Sequence, residues 1–166
     1  DYEKNEVSFG RQGKSNQSNN SFLSRKIDWE KLNANKKETG LKGEELVVKI
    51  EREYLESIDK TELASRVRHM SVEEGDGLGY DVLSFFEDGR EKYIEVKSTT
   101  QSLQSPFYIS NNELNFLKQN LEYSFIYRVF VTDDYITEDN FLILTAKDIL
   151  QESEITPVSY VVKNKK

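Results

Sequence analysis

The alternation of apolar and polar positions along the chain predicts a domain that mixes helices and strands. Apolar residues recur at three- and four-residue spacings over roughly residues 44–57, which predicts an amphipathic helix. Residues 66–70, 80–86 and 92–97 are short and rich in apolar residues, which predicts three strands. Residues 123–131 form a near-continuous apolar run, and this pattern is typical of a buried central strand.

Turn and capping residues separate these elements. Asp88-Gly89 predicts a hairpin turn between the second and third strands. Ser110 can cap a helix that ends at Gln119, with Glu113 as the second member of a capping box. The chain therefore returns from the third strand to the central strand through a helix.

The segments at either end of this core are less regular. Residues 1–26 are predicted to be a flexible arm or linker because they offer almost nothing to bury, which leaves 27–166 as a single domain. Asp28 can cap a short helix that ends before Gly40. Beyond the central strand we expect three further pieces, a strand at 141–144, a helical turn at 146–150 and a last strand at 158–162. The fold class is thus α/β of the mixed α+β kind, with a central mixed sheet of about five strands.

Composition narrows the class of protein. Cysteine is absent, which excludes disulfides and thiolate metal sites and fits an intracellular location, cytoplasmic if the source is bacterial. No apolar run approaches the roughly 18 residues that a membrane span needs, so no membrane association is expected. Because the chain starts at Asp1 and has its only methionine at Met70, we expect it to be part of a longer protein whose other domains are its partners.

Charge argues against a surface that binds nucleic acid by bulk electrostatics. The net charge is −7, and residues 41–166 hold fifteen basic against twenty-four acidic residues, whereas residues 1–40 hold eight against six. Any affinity for a phosphate backbone must therefore come from local groups or from partner domains.

The candidate chemistry lies at the start of the second strand and in the third. Glu95 and Lys97 are two residues apart, so in a strand they face the same side. Asp81 follows a glycine-rich turn and begins the neighbouring strand. Two carboxylates on adjacent strands offer hard oxygen ligands to Mg²⁺ or Mn²⁺, and a lysine beside them can orient an attacking water. Glutamate and lysine two residues apart also occur on ordinary solvated strand faces, and the pattern alone does not separate the two interpretations.

A family resemblance strengthens the catalytic interpretation. The segments Gly79-Tyr80-Asp81 and Ile94-Glu95-Val96-Lys97-Ser98-Thr99 resemble the signature of the PD-(D/E)xK superfamily of nucleases. More narrowly, together with Gly43-Glu44-Glu45-Leu46-Val47, residues 107–113 and Tyr127-Arg128-Val129, they resemble the C-terminal domain family of the protein NO VEIN. The resemblance covers roughly residues 40–131.

The superfamily resemblance implies a restriction-endonuclease-like core, in the order helix, three antiparallel strands, helix and strand. It implies a Mg²⁺-dependent site, in which Mn²⁺ is expected to substitute, with Asp81 and Glu95 as metal ligands and the Val96 carbonyl as a further oxygen. Lys97 would position the water. It also implies an acidic residue on the first helix, for which Glu44 is preferred over its neighbour Glu45.

Four other residues are candidates for substrate contacts. Arg128 lies inside an apolar strand, where it either pairs with a carboxylate or reaches a phosphate, and the pairing is favoured. His69 is the only histidine and is either a substrate contact or an ordinary polar residue at a strand end. Ser98 and Gln101 directly follow the third strand and are close enough in sequence to contact a phosphate.

Three functions remain open on the sequence alone. The preferred one is an endonuclease domain that hydrolyses DNA, within a larger defence or DNA-processing protein, with a homodimer compatible with such a role. The alternative is a catalytically inactive nuclease-fold module that binds nucleic acid or protein, which the acidic composition favours. A nuclease directed at RNA is the third.

Overall fold

The computed structural model describes residues 18–75, 77–132 and 141–158, with side chains from residue 37 onward. Contacts divide the chain into two units, residues 1–35 and residues 36–166. The described part of the first unit is helical, and the second unit carries the sheet. The elements are α1 (Ser18–Ser57), α2 (Thr61–Ser65), β1 (Arg68–His69), α3 (Met70–Glu73), β2 (Val82–Phe85), β3 (Glu91–Thr99), α4 (Asn111–Gln119), β4 (Ser124–Phe130), β5 (Phe141–Thr145) and α5 (Ala146–Glu152).

The strands of the described chain form one mixed sheet in the order β1-β2-β3-β4-β5. The first three are antiparallel neighbours, β3 and β4 are parallel, and β5 is antiparallel to β4. A parallel pair needs a crossover connection, and here α4 supplies it. The predicted fold class and the predicted order of helix, three antiparallel strands, helix and strand are confirmed.

Helices pack against both faces of the sheet, α1 on one face and α4 with α5 on the other. On what we call the α1 face, Val47 and Leu55 of α1 pack against Ile94, Val96 and the other members of one buried cluster. On the opposite side, the α4 face, Leu117 of α4 and Ile149 of α5 pack against Ile126 in a second cluster. The side chains of β3 alternate between the two faces because successive residues in a strand point to opposite sides.

Helix α1 is longer than predicted. We expected a flexible arm to residue 26 and then two helices separated near Gly40, yet one helix runs from Ser18 to Ser57. Glycine in a helix costs only about 1 kcal/mol relative to alanine, so two glycines without a proline do not break a helix that the sheet holds in place. Of the predicted arm, residues 1–17 lie outside the described part of the chain.

The strands of the sheet, α4 and α5 agree with the predicted elements in kind and differ at their ends, whereas the short helices α2 and α3 were not predicted. The hairpin turn at Asp88-Gly89 is confirmed, with Gly89 at φ +86°. The capping box of Ser110 and Glu113 is confirmed in both of its hydrogen bonds. Of the strand expected at 158–162, only Val158 is described, and it is not in a strand. None of the helices in the described ranges combines the length and the apolarity that a bilayer crossing requires.

Candidate active site

Asp81 is positioned by the backbone on both sides of it. Its N–H donates to the Ile94 carbonyl at 2.9 Å, and its own carbonyl accepts from Met70 N at 2.7 Å. The preceding turn requires Gly79, since its φ is +87° and a Cβ there would lie 2.9 Å from the Cβ of Phe116. The turn therefore brings the chain against α4 immediately before it enters β2.

The carboxylate of Asp81 lies beside the part of β3 that carries Glu95 and Lys97. The antiparallel register of β2 and β3 ends at Val82 and Ile94, and Asp81 lies in the bend directly before β2. The carboxylate of Asp81 is also fixed to β3, because its Oδ2 accepts from Val96 N at 2.8 Å.

Lys97 lies between two carboxylates. Its Nζ is 2.6 Å from Glu95 Oε1 and 2.6 Å from Glu113 Oε2. Glu95 is buried, with 5% of its surface exposed, and Lys97 is half-buried. Sequence analysis assigned Glu113 to the helix cap alone. The available signal was the element order: Glu113 is at the start of the helix that follows β3, so its carboxylate can lie near a lysine on that strand.

Burial and like charges act together on the carboxylates of this cluster. Burial raises the pKa of Asp81 to about 6, and the charges of Glu44 and Glu113 act in the same direction against the Val96 N–H and Lys97. Burial, followed by the charge of Asp81, raises the pKa of Glu95 well above its ordinary value. Burial opposes the charge of Lys97, but Glu95 and Glu113 outweigh it, and the pKa of the amine is raised. The cluster therefore carries more negative charge than its one lysine can neutralise.

Glu44 of α1 is bonded to the segment that contains β1 and α3. Its Oε2 accepts from Ser71 Oγ at 2.5 Å and from His69 Nε2 at 2.7 Å. Glu44 acts on Asp81 electrostatically, as the raised pKa of Asp81 records. His69 is thus a partner of the helix carboxylate, and Ser71, which the sequence did not single out, is the second. Neither touches Lys97.

The residues present fit a hard divalent cation. Asp81 Oδ1 and Glu95 Oε2 accept no hydrogen bond from any residue that the structure describes. Carboxylate oxygens are the ligands that Mg²⁺ and Mn²⁺ prefer. Within the described ranges no three Asp, Glu, His or Cys side chains form a metal cage by themselves. Such an ion would therefore use the two carboxylates with a backbone oxygen, for which Val96 is the candidate, and with water.

A family model described as "Protein NO VEIN, C-terminal" matches residues 43–143, which is more than half of the chain. The chain belongs to this family. Its matched span begins within α1, one residue before Glu44, and ends in β5, so it contains the whole cluster. No curated protein matches the chain, and no solved structure does.

Three predicted substrate contacts lie apart from the cluster in this NO VEIN C-terminal domain. The guanidinium of Arg128 donates to the carbonyls of Lys97, Leu103 and Ser105 at 3.0 to 3.3 Å, and the residue is only 2% exposed. Its partners are carbonyls and not the carboxylate that we favoured. Ser98 Oγ is buried on the α1 face, and the side chain of Gln101 is exposed.

The NO VEIN C-terminal domain also has a cavity on the opposite side of the sheet. It has a volume of about 1080 Å³ and lies on the α1 face, with Glu51, Lys92 and Tyr127 among its lining residues. Glu51 is 3% exposed and accepts from Lys92, Tyr127 and Ser84. These groups satisfy one another, so they fix α1 to the sheet. The acidic cluster with Lys97 is therefore the better candidate for chemistry.

Proposed function

We propose that this NO VEIN C-terminal domain is a metal-dependent endonuclease of the PD-(D/E)xK type that hydrolyses DNA phosphodiester bonds. In a longer protein it would serve a defence or DNA-processing role. One observation carries the proposal: two carboxylates with unused oxygens meet beside one amine. Asp81 Oδ2 accepts from the N–H of Val96, the residue between Glu95 and Lys97, and the amine of Lys97 is 2.6 Å from Glu95 Oε1. Phosphodiester hydrolysis of this type needs two carboxylates for a metal ion and one amine to position the attacking water.

Each side chain has a role that follows from its position. Asp81 and Glu95 present oxygens to Mg²⁺, which when bound polarises the phosphodiester and stabilises charge on the leaving oxygen. Lys97 Nζ has a third donor position beyond its two carboxylate partners and can hold a water or a phosphate oxygen there. Glu44, through its bond with His69, adds negative charge beside Asp81 and assists in holding the water shell of the ion.

The test is a cleavage assay on duplex DNA with Mg²⁺ or Mn²⁺, in which the wild type is compared with Lys97→Ala and Glu95→Gln. Both variants should lose at least about a hundredfold in rate. Without metal, Glu95→Gln should melt at or roughly 2–4 °C above the wild-type temperature, because a buried carboxylate that is repelled by Asp81 is removed. Parallel assays on single-stranded DNA and on RNA define the substrate.

Retained cleavage in Lys97→Ala would overturn the proposal. A large fall in the melting temperature of Glu95→Gln would mean instead that Glu95 serves as a structural partner of Lys97. An Asp88→Asn variant is the matched control, since Asp88 is an exposed acidic residue in the turn between β2 and β3, and its partner is Arg90 of the same turn. It should cleave at the wild-type rate.

Two observations favour a second function. Lys97 is already paired with two carboxylates, and the net charge of −7 opposes the approach of a polyanion. Both features suit a nuclease fold that binds protein or nucleic acid without cleaving. Titration with Mn²⁺ separates the functions, because a domain that binds no ion should show no rise in melting temperature, whereas a functional site is stabilised as the ion is added.

A further inference from the structure

Glu113 makes two kinds of contact that a helix cap alone does not require. As the third residue of α4 it closes the capping box, since its N–H donates to Ser110 Oγ at 3.2 Å and its Oε2 accepts from Ser110 N at 3.1 Å. The same Oε2 accepts from Lys97 Nζ at 2.6 Å, sixteen residues earlier in the chain. One carboxylate oxygen thus joins the start of α4 to the lysine of β3.

We propose that Glu113 is a positioning residue for Lys97, a role that rests on the proposed function. Without Glu113, the ammonium group has Glu95 as its only carboxylate partner among the described residues. Glu95 would then have to serve the lysine and a metal ion with the same carboxylate. With Glu113 present, Lys97 keeps an anionic partner when Glu95 binds the ion, and its amine stays beside the site.

The rigidity of α4 makes Glu113 suited to this role. The glutamate is held at the helix start by two hydrogen bonds to Ser110, and α4 is packed on the sheet through Phe116, whose ring centroid lies 5.2 Å from that of Tyr93. Because the Glu113 carboxylate is already held by Ser110, its bond to the flexible Lys97 side chain costs little further conformational entropy on the glutamate side. The lysine is therefore positioned by an element that does not itself carry the metal ligands.

The chain contains a matched control for the capping role. Thr145 and Asp148 form the same capping box at the start of α5, with hydrogen bonds of 2.9 and 3.0 Å. Asp148 is not a partner of Lys97 or Glu95. A substitution there disturbs a cap of the same design without touching the cluster.

The experiment compares Glu113→Gln, Glu113→Asp and Asp148→Asn with the wild type. Glutamine is as good as glutamate in a capping box, so Glu113→Gln should melt within roughly 2 °C of the wild type. Its kcat for duplex cleavage should fall at least about tenfold with KM changed by less than about threefold, because the lysine is misplaced rather than the substrate lost. Glu113→Asp, which keeps the charge, should cleave faster than Glu113→Gln, and Asp148→Asn should match the wild type.

A second readout needs no cleavage. Calorimetric titration with Mn²⁺ in the absence of nucleic acid should show affinity reduced at least about threefold in Glu113→Gln, because Lys97 then competes with the ion for Glu95. Asp148→Asn should bind Mn²⁺ as the wild type does. If the wild type binds Mn²⁺ and does not cleave, the proposed nuclease activity falls, and the Mn²⁺ affinity of Glu113→Gln still decides the role of Glu113.

Two results would overturn the inference. Wild-type cleavage and wild-type Mn²⁺ affinity in Glu113→Gln would leave Glu113 a helix cap and nothing more. A wild type that neither binds Mn²⁺ nor cleaves would remove the proposed function and, with it, the positioning role that depends on it.

Discussion

At the scale of single residues, the site concentrates negative charge where a protein optimised only for stability would avoid it. Asp81 is held against β3 beside Glu95, and Glu44 and Glu113 add to the negative charge that acts on Asp81. Lys97 is the one ammonium group of this described cluster. Such an arrangement costs stability in the absence of a cation and is typical of sites shaped by function.

The loss of stability caused by these buried carboxylates should depend on pH in a predictable direction. The pKa of Asp81 in the folded state, about 6, is above the value of about 4 expected in the unfolded chain. The folded protein therefore binds more protons than the unfolded chain between these pH values, and stability falls as pH rises through the window. Glu95, whose pKa is raised further, extends the loss to higher pH. The slope should reach up to about 1.4 kcal/mol per pH unit for each proton.

Urea unfolding with a chelator present, at several values between pH 4.5 and 8, measures this slope for the wild type and for Asp81→Asn. The variant should gain stability relative to the wild type as the pH increases. Saturating Mn²⁺ should abolish most of the difference in slope at neutral pH, since the ion replaces the protons. If the stability of the two proteins changed with pH in the same way, folding would not raise the pKa of Asp81, and the prediction would be wrong.

At the scale of elements, the position of α1 depends on a close approach to β3. A Cβ on Gly43 would lie 2.0 Å from Ser98 Oγ and 3.2 Å from Ser98 Cβ. Ser98 therefore packs against the bare backbone of α1, and its hydroxyl is buried without a hydrogen-bond partner among the described residues. This contact lies one residue from Glu44 and one from Lys97, so it sets the helix carboxylate relative to the strand that carries the lysine.

Gly43→Ala should destabilise the domain by about 1–3 kcal/mol even though alanine favours helix by about 1 kcal/mol over glycine. Gly40→Ala is the matched control, because the nearest atom to a Cβ there is Glu44 Oε1 at 3.9 Å, and that variant should gain stability. Adding Ser98→Ala to Gly43→Ala should recover much of the loss by removing the hydroxyl. Urea unfolding of the four proteins checks the order, and equal gains from both glycine substitutions would contradict it.

These elements also show which features a sequence can predict. The five strands of the sheet, the hairpin turn and the capping box of α4 follow local rules, and all were predicted apart from the exact ends of the strands. The continuous α1 was not, because Gly43 is kept for a contact with Ser98 that is 55 residues away in sequence and leaves no local sign. The partners of Arg128 were predicted wrongly for a similar reason, since backbone carbonyls of a loop carry no sequence signature.

Some residues of the candidate site can likewise be predicted from local sequence, and others cannot. The two-residue spacing of Glu95 and Lys97 fixes their common face, and the sequence predicts it without knowledge of the fold. Glu113 and Ser71 join only through the tertiary approach of α4 to β3 and of the β1–α3 segment to α1. Glu113 was predicted only as a helix cap, and Ser71 was not predicted at all. A contact with a residue that is distant in sequence leaves no local pattern from which it could be predicted.

At the scale of the whole molecule, net charge and site chemistry oppose each other. A chain of charge −7 repels a polyanion, and residues 41–166, which carry the site, hold nine more acidic than basic residues. Bulk electrostatics therefore cannot provide the affinity of a nuclease for its substrate. Under the proposed function, contact with a backbone phosphate must depend on Lys97 and on bound cations.

This balance predicts a weak dependence of DNA binding on salt. A protein that neutralises Z phosphates loses affinity with a slope of about −0.9Z in log K against log salt concentration, so two or three contacts give a slope no steeper than about −3. Fluorescence anisotropy with labelled duplex, in Ca²⁺ to limit cleavage, measures the slope between roughly 50 and 300 mM KCl. Removing the divalent cation should weaken binding more than that whole salt range does, because the unneutralised carboxylates of Asp81 and Glu95 then face the phosphate. A slope near −6, or tighter binding in chelator, would mean that a basic surface and not the metal site recruits the substrate.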